Sequence, residues 1–377
     1  SFSFFGSLSH IFNLVLISLV FINFLKTNRS AEISKNSRSV YFALSTIFFI
    51  FLIRGGFSDD FWLTLKSLSP MFAVPLVGLL ILFQTDCDLR ISFRKLAFFS
   101  KISIFITVSV YILLKNILGS SSDFVSGFNN RLELLSGNPI PFSLALFGVS
   151  VFCLANIKYS SEKEKLTSIL FFILGIYIAS VLSSTRGTIL ASLLAMPIVV
   201  VFTANSIRTA LNTLIVLTLV FGCIWILHSQ GYVHIDFFHR LNSVTSSIFN
   251  FKVHASNELR VNVWVASIET IKTLPTFGYD ISNRFSSIEP NLPKDFTIRY
   301  THPHNDILAS IIGTGFIGGI FTVLSLTAPI WAAYLSKDNK ETKFYLAFLM
   351  VISFFITSNV NTVFFNDISA SWLAFST

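Results

Sequence analysis

Charged residues are scarce in this chain: Asp, Glu, Lys and Arg make up 12% of its 377 residues, whereas hydrophobic residues make up 53%. A soluble domain contains about 25% charged residues, so the composition excludes that class. The apolar runs have the roughly 20-residue length of helices that cross a bilayer, not the ~10-residue alternating pattern of barrel strands. The sequence therefore predicts an all-α polytopic membrane protein with about eleven or twelve transmembrane helices.

Cysteine is also rare. The three cysteines, Cys87, Cys153 and Cys223, lie in or beside different apolar runs without paired spacing. This distribution indicates neither a disulfide framework nor a cysteine metal site. The first apolar run lacks a basic preceding segment and a small-residue cleavage site, so we expect no cleavable signal peptide.

The long apolar run at 307–335 differs from the other predicted spans because it carries four glycines, at 313, 315, 318 and 319. We interpret it as a short helix, a break and then a crossing. The predicted spans are 4–25, 40–53, 67–83, 96–114, 140–157, 166–182, 188–205, 209–227, 307–335, 344–360 and 363–375.

Lysine and arginine concentrate in alternate short loops, which the positive-inside rule assigns to the cytoplasm. The segments 54–66, 115–139 and 228–306 then face outward, which in a bacterium is the periplasm. We accordingly divide the chain into a transmembrane bundle at 1–227, a periplasmic loop at 228–306 and C-terminal transmembrane helices at 307–377.

The long outward loop contains six of the seven histidines. It also carries arginines at 240, 260, 284 and 299. Positive charge on the outer side opposes the topology rule, and an anionic ligand would explain it. Apolar residues at helical spacing predict an amphipathic helix in this loop, capped by Ser256 or Asn257 and suited to the membrane face.

Arg260 lies in the first turn of that helix, and Trp264 follows one turn later. A tryptophan at the membrane interface would hold Arg260 at the height of the lipid headgroups, where a pyrophosphate would also lie. The alternative is a solvated surface charge, which is what most loop arginines are.

Arg186 lies in a polar break between two apolar spans, in the sequence Ser-Ser-Thr-Arg-Gly-Thr at 183–188. An arginine at the hydrocarbon edge is either a functional residue or an ordinary interfacial residue whose charged group extends to water, and both interpretations stay open. In the functional reading the guanidinium binds two phosphate oxygens, Gly187 allows close approach, and the neighbouring hydroxyls add donors.

His302 and His304 lie where the long loop returns to the membrane. Pro303 disfavours helix at His302, so a helix should begin near His304 to Asp306, with Asn305 or Asp306 as its cap. A helix N-terminus disfavours imidazolium and keeps His304 neutral, as a general base requires. The alternatives are a histidine with no chemical role and a metal site of His302, His304 and Asp306, which is weaker because no further ligand cluster lies nearby in sequence.

A further outward segment contains Arg131 and ends in Gly-Asn-Pro at 137–139. Gly-Asn-Pro favours a turn, which accounts for the segment without any function. The functional interpretation makes Arg131 another outward cation.

In their order along the chain, these elements resemble the O-antigen ligase and polymerase superfamily. The resemblance rests on the Arg-Gly break, the Arg-x-x-x-Trp helix, and His-x-His-Asn at 302–305 before a glycine-rich span. Gly-Tyr-Asp at 278–280 is similar to a short element that many members carry before the histidine. The segment from Arg131 to Pro139 resembles their Arg…Gly-Asn-Pro loop.

The resemblance implies an integral-membrane glycosyltransferase that uses neither a metal nor another cofactor. Its donor would be an O-antigen glycan linked to undecaprenyl diphosphate. It would also contact membrane lipids, and it would not bind nucleic acid. On this model Arg186 and Arg260 hold the diphosphate and His304 activates an acceptor hydroxyl. The residues expected to contact the substrates are Arg131, Trp264, Tyr279, His302 and Asn305.

The acceptor distinguishes the members of this superfamily from one another. A ligase transfers the glycan to lipid A–core, a polymerase to another lipid-linked repeat unit, and an O-oligosaccharyltransferase to a protein hydroxyl. One dominant outward loop favours the ligase. A transporter of lipid-linked glycans is disfavoured because the polar residues concentrate at one surface rather than at the bilayer midplane.

Overall fold

The computed structural model describes residues 35–57, 89–118, 126–127, 131–132, 139–182, 185–204, 206–230, 255–280, 282–294, 296, 303–336 and 340–358. These residues are almost entirely helical. The helices are α1 Lys35–Gly56, α2 Leu89–Leu118, α3 Pro139–Phe152, α4 Glu162–Tyr177, α5 Arg186–Thr203, α6 Ile207–Ser229, α7 Ala255–Lys272, α8 Asp306–Leu335 and α9 Lys340–Ser358.

Three short elements interrupt this pattern. A π-helical turn, Ile178–Leu182, follows α4, and single 3-10 turns occupy Ile157–Tyr159 and Glu289–Asn291. The strands β1, Ser126–Gly127, and β2, Arg131–Leu132, pair antiparallel. Arg131 therefore lies in a short strand pair, and most of the predicted Gly-Asn-Pro turn lies outside the described residues.

Three helical stretches among the described residues are long and apolar enough to cross a bilayer, namely Phe93–Leu113, Phe142–Tyr159 and Asp306–Leu335. Shorter apolar stretches lie in α1, α5 and α6. The chain is therefore a membrane protein, as predicted. The predicted spans at 4–25, 67–83 and 363–375 lie outside the described residues.

The helices extend beyond the predicted spans at several ends. α1 begins at Lys35 rather than at 40, and α2 begins at Leu89 rather than at 96. The polar residues at these ends belong to the same hydrogen-bonded helix as the apolar residues that follow. A prediction from hydropathy misses these ends because it detects only the apolar part of a helix. The predicted span at 140–157 ends its α-helix earlier, at Phe152, and continues through turns.

The chain divides into two compact units, one that contains α1, α7 and α8 and another that contains α2 to α6 with most of α9. In the second unit, α3 packs against α2, α4 and α5. Its buried core includes Ile104, Leu146 and the free thiol of Cys153. A Cβ on Gly175 would lie 2.1 Å from Ser150 Oγ, so this glycine permits the close approach of α4 to α3.

α4 begins with the hydrogen bonds that its sequence predicts for a helix start. Ser161 Oγ accepts from the Glu164 backbone N–H at 3.4 Å, and the Glu164 carboxylate accepts from the Ser161 N–H at 3.2 Å. This reciprocal pair is a capping box, which satisfies two backbone donors that the helix itself cannot pair.

In the first unit, α8 is the central element: α1 packs along it, and α7 packs against its N-terminal part. The helix is interrupted at Thr314 (φ −139°) and Gly315 (φ 76°). It therefore consists of a short helix at 306–313, a break and a longer helix at 316–335, which confirms the predicted arrangement. The break requires glycine at 315 because φ is positive there and because a Cβ would lie 2.3 Å from Thr276 O.

α7 differs from the prediction in its start and in its buried face. It begins at Ala255, so Ser256 and Asn257 lie inside its first turn rather than capping it. Its buried face consists mainly of small and hydroxyl residues: Val263, Ala266, Ser267 and Thr270. Ile268, on the same helix, is 50% exposed, and the proposal that this helix lies on the membrane face stays a prediction.

Candidate active site

The His304 segment leads directly into α8. Asn305 is the N-cap of this helix, and its side-chain oxygen accepts from the Leu308 backbone N–H at 3.0 Å. The helix therefore begins within the predicted range, and of the two predicted caps the structure selects Asn305. His304 has a left-handed backbone with φ 53°, a conformation in which histidine is found more often than most residues. The turn places the half-buried imidazole immediately before the helix start.

The surroundings of His304 disfavour its protonated form. Burial lowers the pKa of the imidazole, and the positive charge of Arg260 lowers it further, to about 4. The side chain is therefore neutral at pH 7, the protonation state that a proton acceptor requires. Arg260 lies on α7, so this helix brings a cation near the histidine as well as packing against α8.

Trp264 joins α7 to the histidine segment through a hydrogen bond. Its indole Nε1–H donates to the carbonyl oxygen of Pro303 at 3.1 Å. Trp264 follows Arg260 by one helical turn, so the bond fixes the part of α7 that carries this arginine. The position of Trp264 at the membrane interface stays a prediction.

The Gly-Tyr-Asp element docks against the break in α8. The backbone N–H groups of Tyr279 and Asp280 donate to Ile312 O at 2.8 Å and to Gly313 O at 3.0 Å. The Tyr279 hydroxyl donates to Thr273 O at 3.3 Å. The two backbone bonds tie the element to α8, and the hydroxyl ties it to the residue that follows α7. Substrate contact by Tyr279 stays a prediction.

A buried charge pair lies beneath the histidine segment. Asp306, the first residue of α8, is fully buried, and Arg284 is 8% exposed. Burial lowers the pKa of Arg284 to about 10, while the negative charge of Asp306 opposes that shift. The negative charge of Asp306 therefore acts on Arg284, one of the arginines of the long outward loop, and chain order alone does not reveal this proximity.

The polar break at Arg186 is built into the second unit. α5 begins at Arg186, whose side chain lies outside the described residues. The Thr185 hydroxyl donates to Ser143 Oγ at 2.7 Å, and the hydroxyls of Ser143 and Thr188 are 2.7 Å apart. All three side chains are buried. These bonds fasten the start of α5 to α3, which favours a structural role for both threonines over the predicted role as ligand donors.

For two other predicted contact residues the structure describes no side chain. His302 lies outside the described residues, and for Arg131 the structure describes the strand but not the side chain. Among the described residues, no group of three His, Cys, Asp or Glu side chains could hold a metal ion. The alternative site of His302, His304 and Asp306 includes a residue beyond that part of the chain, and metal independence stays a prediction.

Part of the chain matches a known protein family. Residues 169–323 match the family described as O-antigen ligase. The resemblance predicted from the sequence is confirmed. The matched segment contains Arg186, Arg260 and His304, whereas Arg131 precedes it. The family consists of membrane enzymes of the glycosyltransferase kind, and it implies a ligase or polymerase type of function on lipid-linked polysaccharides.

An uncharacterized protein of Haemophilus influenzae is also similar over most of its length. The two sequences are 24% identical over 344 residues, which cover 88% of this chain and 82% of that protein. The similarity extends the relationship beyond the matched segment without adding a function.

Proposed function

We propose that this protein is an O-antigen ligase of the bacterial inner membrane whose active site faces the periplasm. It transfers a polysaccharide from undecaprenyl diphosphate to a sugar hydroxyl of lipid A–core. The observation that carries this proposal is that the segment matching the O-antigen ligase family places His304 directly before the start of α8, where the positive charge of Arg260 on α7 acts on the imidazole. A proton acceptor beside a cation suits a reaction that removes a proton from an acceptor and releases a diphosphate.

The reaction requires one proton transfer and stabilisation of one leaving group. His304 accepts the proton of the acceptor hydroxyl as its oxygen forms a bond to the anomeric carbon of the donor. The bond between that carbon and the phosphate oxygen breaks, and the electron pair leaves with undecaprenyl diphosphate. The proton then passes from His304 to solvent, which restores the neutral base.

Arginine suits the leaving group because its planar guanidinium binds two phosphate oxygens at once. In the proposed mechanism Arg260 and Arg186 stabilise the negative charge that builds on the diphosphate. The diphosphate in turn offsets the charge of Arg260, so donor binding raises the pKa of His304 and makes the imidazole a stronger base. The ion pair between Arg260 and the diphosphate therefore both binds the donor and makes His304 a stronger base.

The remaining predicted contacts belong to the same proposal with modified roles. Asn305 and Trp264 support the site by holding the His304 segment, because their side chains bond to Leu308 N–H and to Pro303 O. Arg131, His302 and Tyr279 are proposed to contact the glycan or the acceptor.

The test uses cells that make a complete lipid A–core and a lipid-linked O-antigen. Deletion of a ligase leaves the core unsubstituted while long polymer accumulates on the lipid carrier. Deletion of a polymerase leaves the core with a single repeat unit instead, and that result would replace the ligase by the polymerase. Normal core substitution together with loss of glycan from a secreted protein would indicate an O-oligosaccharyltransferase.

Transfer by the purified protein separates catalysis from transport. The protein in detergent, given a lipid-diphosphate-linked glycan and lipid A–core, should form the glycosylated core. A transporter would move the donor between leaflets of a vesicle and would form no new glycosidic bond.

A further inference from the structure

The break in α8 leaves backbone groups that the helix cannot satisfy. Ile312 O and Gly313 O lie at the end of the short helix, where the non-helical residues Thr314 and Gly315 interrupt the regular bonding. Helix ends leave such carbonyls without intrahelical donors, and a buried carbonyl without a donor is costly. Both glycines at this end, Gly313 and Gly315, are buried.

The loop at 276–280 supplies the missing donors. Tyr279 N–H and Asp280 N–H donate to these two carbonyls at 2.8 and 3.0 Å. Close approach is possible because Gly278 has no side chain: its φ is 72°, and a Cβ there would lie 2.5 Å from Thr314 N. The loop thus caps the short helix whose other end begins just after His304.

Arg54 holds this loop from a third element. It lies in the last turn of α1, and its Nε donates to Phe277 O at 3.0 Å while Nη2 donates to Gly278 O at 3.1 Å. The fork of a guanidinium reaches two successive carbonyls without loss of geometry, which a lysine ammonium does not. Because α1 also packs along α8, the arginine is itself fixed with respect to the helix.

We propose that Arg54 is a positioning residue for His304. It holds the loop against the end of the short helix. Because this eight-residue helix is only about 12 Å long, fixing its end also fixes the position of the histidine at its start. Arg54 acts through the backbone of 277–280 and does not contact the donor. The inference rests on the proposed function for its effect on catalysis, whereas its effect on the helix is independent of it.

The first test compares Arg54→Lys with Arg208→Lys, a matched change at an exposed arginine in the second unit. In glycan transfer by the purified full chain, Arg54→Lys should lower kcat roughly tenfold or more, because small displacements of a catalytic group are costly. KM for the donor should stay within about twofold of the unchanged protein, since the arginine is not a binding group. Arg208→Lys should alter neither constant. A raised KM with unchanged kcat would overturn the proposal by making Arg54 a donor ligand, and unchanged constants would overturn it as well.

Hydrogen exchange provides a readout that does not need activity. Peptides that cover 303–314 should exchange roughly fivefold faster in Arg54→Lys than in the unchanged protein, because the cap of the short helix is loosened. Faster exchange confined to 276–280, or at no position, would show that Arg54 does not control the helix. If the unchanged protein transfers no glycan, the proposed function fails, and this exchange result alone still decides the role of Arg54.

A second variant disrupts the contact between the loop and the break in α8 by a change in the loop itself. Gly278→Ala should lower kcat in the same way, because its Cβ meets the backbone of Thr314. The double variant Arg54→Lys with Gly278→Ala should lose little more than Gly278→Ala alone, since both changes disrupt one contact. Losses that multiply would mean that the two residues act separately and would contradict the proposed chain of contacts.

Discussion

The indole N–H of Trp264 donates to the carbonyl oxygen of Pro303 at 3.1 Å. Through this bond the helix that carries Arg260 is attached to the residue that precedes His304. The charge that lowers the pKa of the histidine and the segment that presents it are therefore held by one side chain.

Replacing Trp264 by Phe should keep most of the packing and remove this hydrogen bond. We expect kcat to fall roughly fivefold, the equivalent of the ~1 kcal/mol that one hydrogen bond contributes net. Trp331→Phe is the matched control because Trp331 is exposed on α8. Equal effects of the two changes would show that the bond to Pro303 has no catalytic consequence.

His304→Ala should abolish transfer while the protein still inserts into the membrane. Loss of a general base costs roughly 100- to 10,000-fold in rate. His302→Ala should matter much less. Both variants are measured by glycan transfer at equal amounts of membrane-inserted protein, and equal loss at the two positions would favour the metal site instead.

Arg260→Gln should shift the pH dependence of kcat/KM. Active enzyme requires neutral His304, so activity is lost as the pH falls through the pKa of the imidazole, which is about 4 in the folded protein. Removal of the positive charge raises that pKa, and the acidic limb should therefore move to higher pH, in addition to a lower maximum. An acidic limb that stays in place would contradict the coupling between the two residues.

Arg284→Ala should destabilise the protein because it leaves Asp306 buried without this cation. Removal of one member of a buried ion pair costs about 3–5 kcal/mol. We expect a marked fall in the apparent melting temperature in detergent, whereas Arg208→Ala should change it little. The double variant Arg284→Met with Asp306→Asn should lose less stability than the single variants Arg284→Met and Asp306→Asn lose together. Simple additivity of the two losses would argue against an interaction between the two charges.

Transfer should persist in excess EDTA. Arginines supply the positive charge on the diphosphate that Mg²⁺ supplies in many phosphate-binding sites, so we predict that chelation has no effect. The measurement is the initial rate with and without EDTA after dialysis. Loss of activity that one divalent ion restores would refute the metal-free mechanism.

Local features of the active-site segment could be predicted from the sequence. A cap at Asn305 or Asp306 and a break in the glycine-bearing span both follow from short-range rules, because a cap needs only the next turn and positive φ favours glycine. The structure selects Asn305 as the cap and Gly315 as the break. The buried face of α7 could not be predicted in this way. Its contacts depend on α8, which is distant in sequence, and small residues such as Ala266 and Ser267 are buried while Ile268 is exposed.

The sequence by itself determined the membrane class, the approximate helical segments and the order of Arg186, Arg260 and His304 along the chain. Composition and hydrophobic runs suffice for these because the bilayer imposes helix length on every span. Only the tertiary structure decided that the charge of Asp306 acts on the buried Arg284 and that Arg54 bonds to a carbonyl 223 residues away. An arginine carries the same charge whether a ligand, a carboxylate or two backbone carbonyls lie near it, and the fold determines which of these groups it approaches.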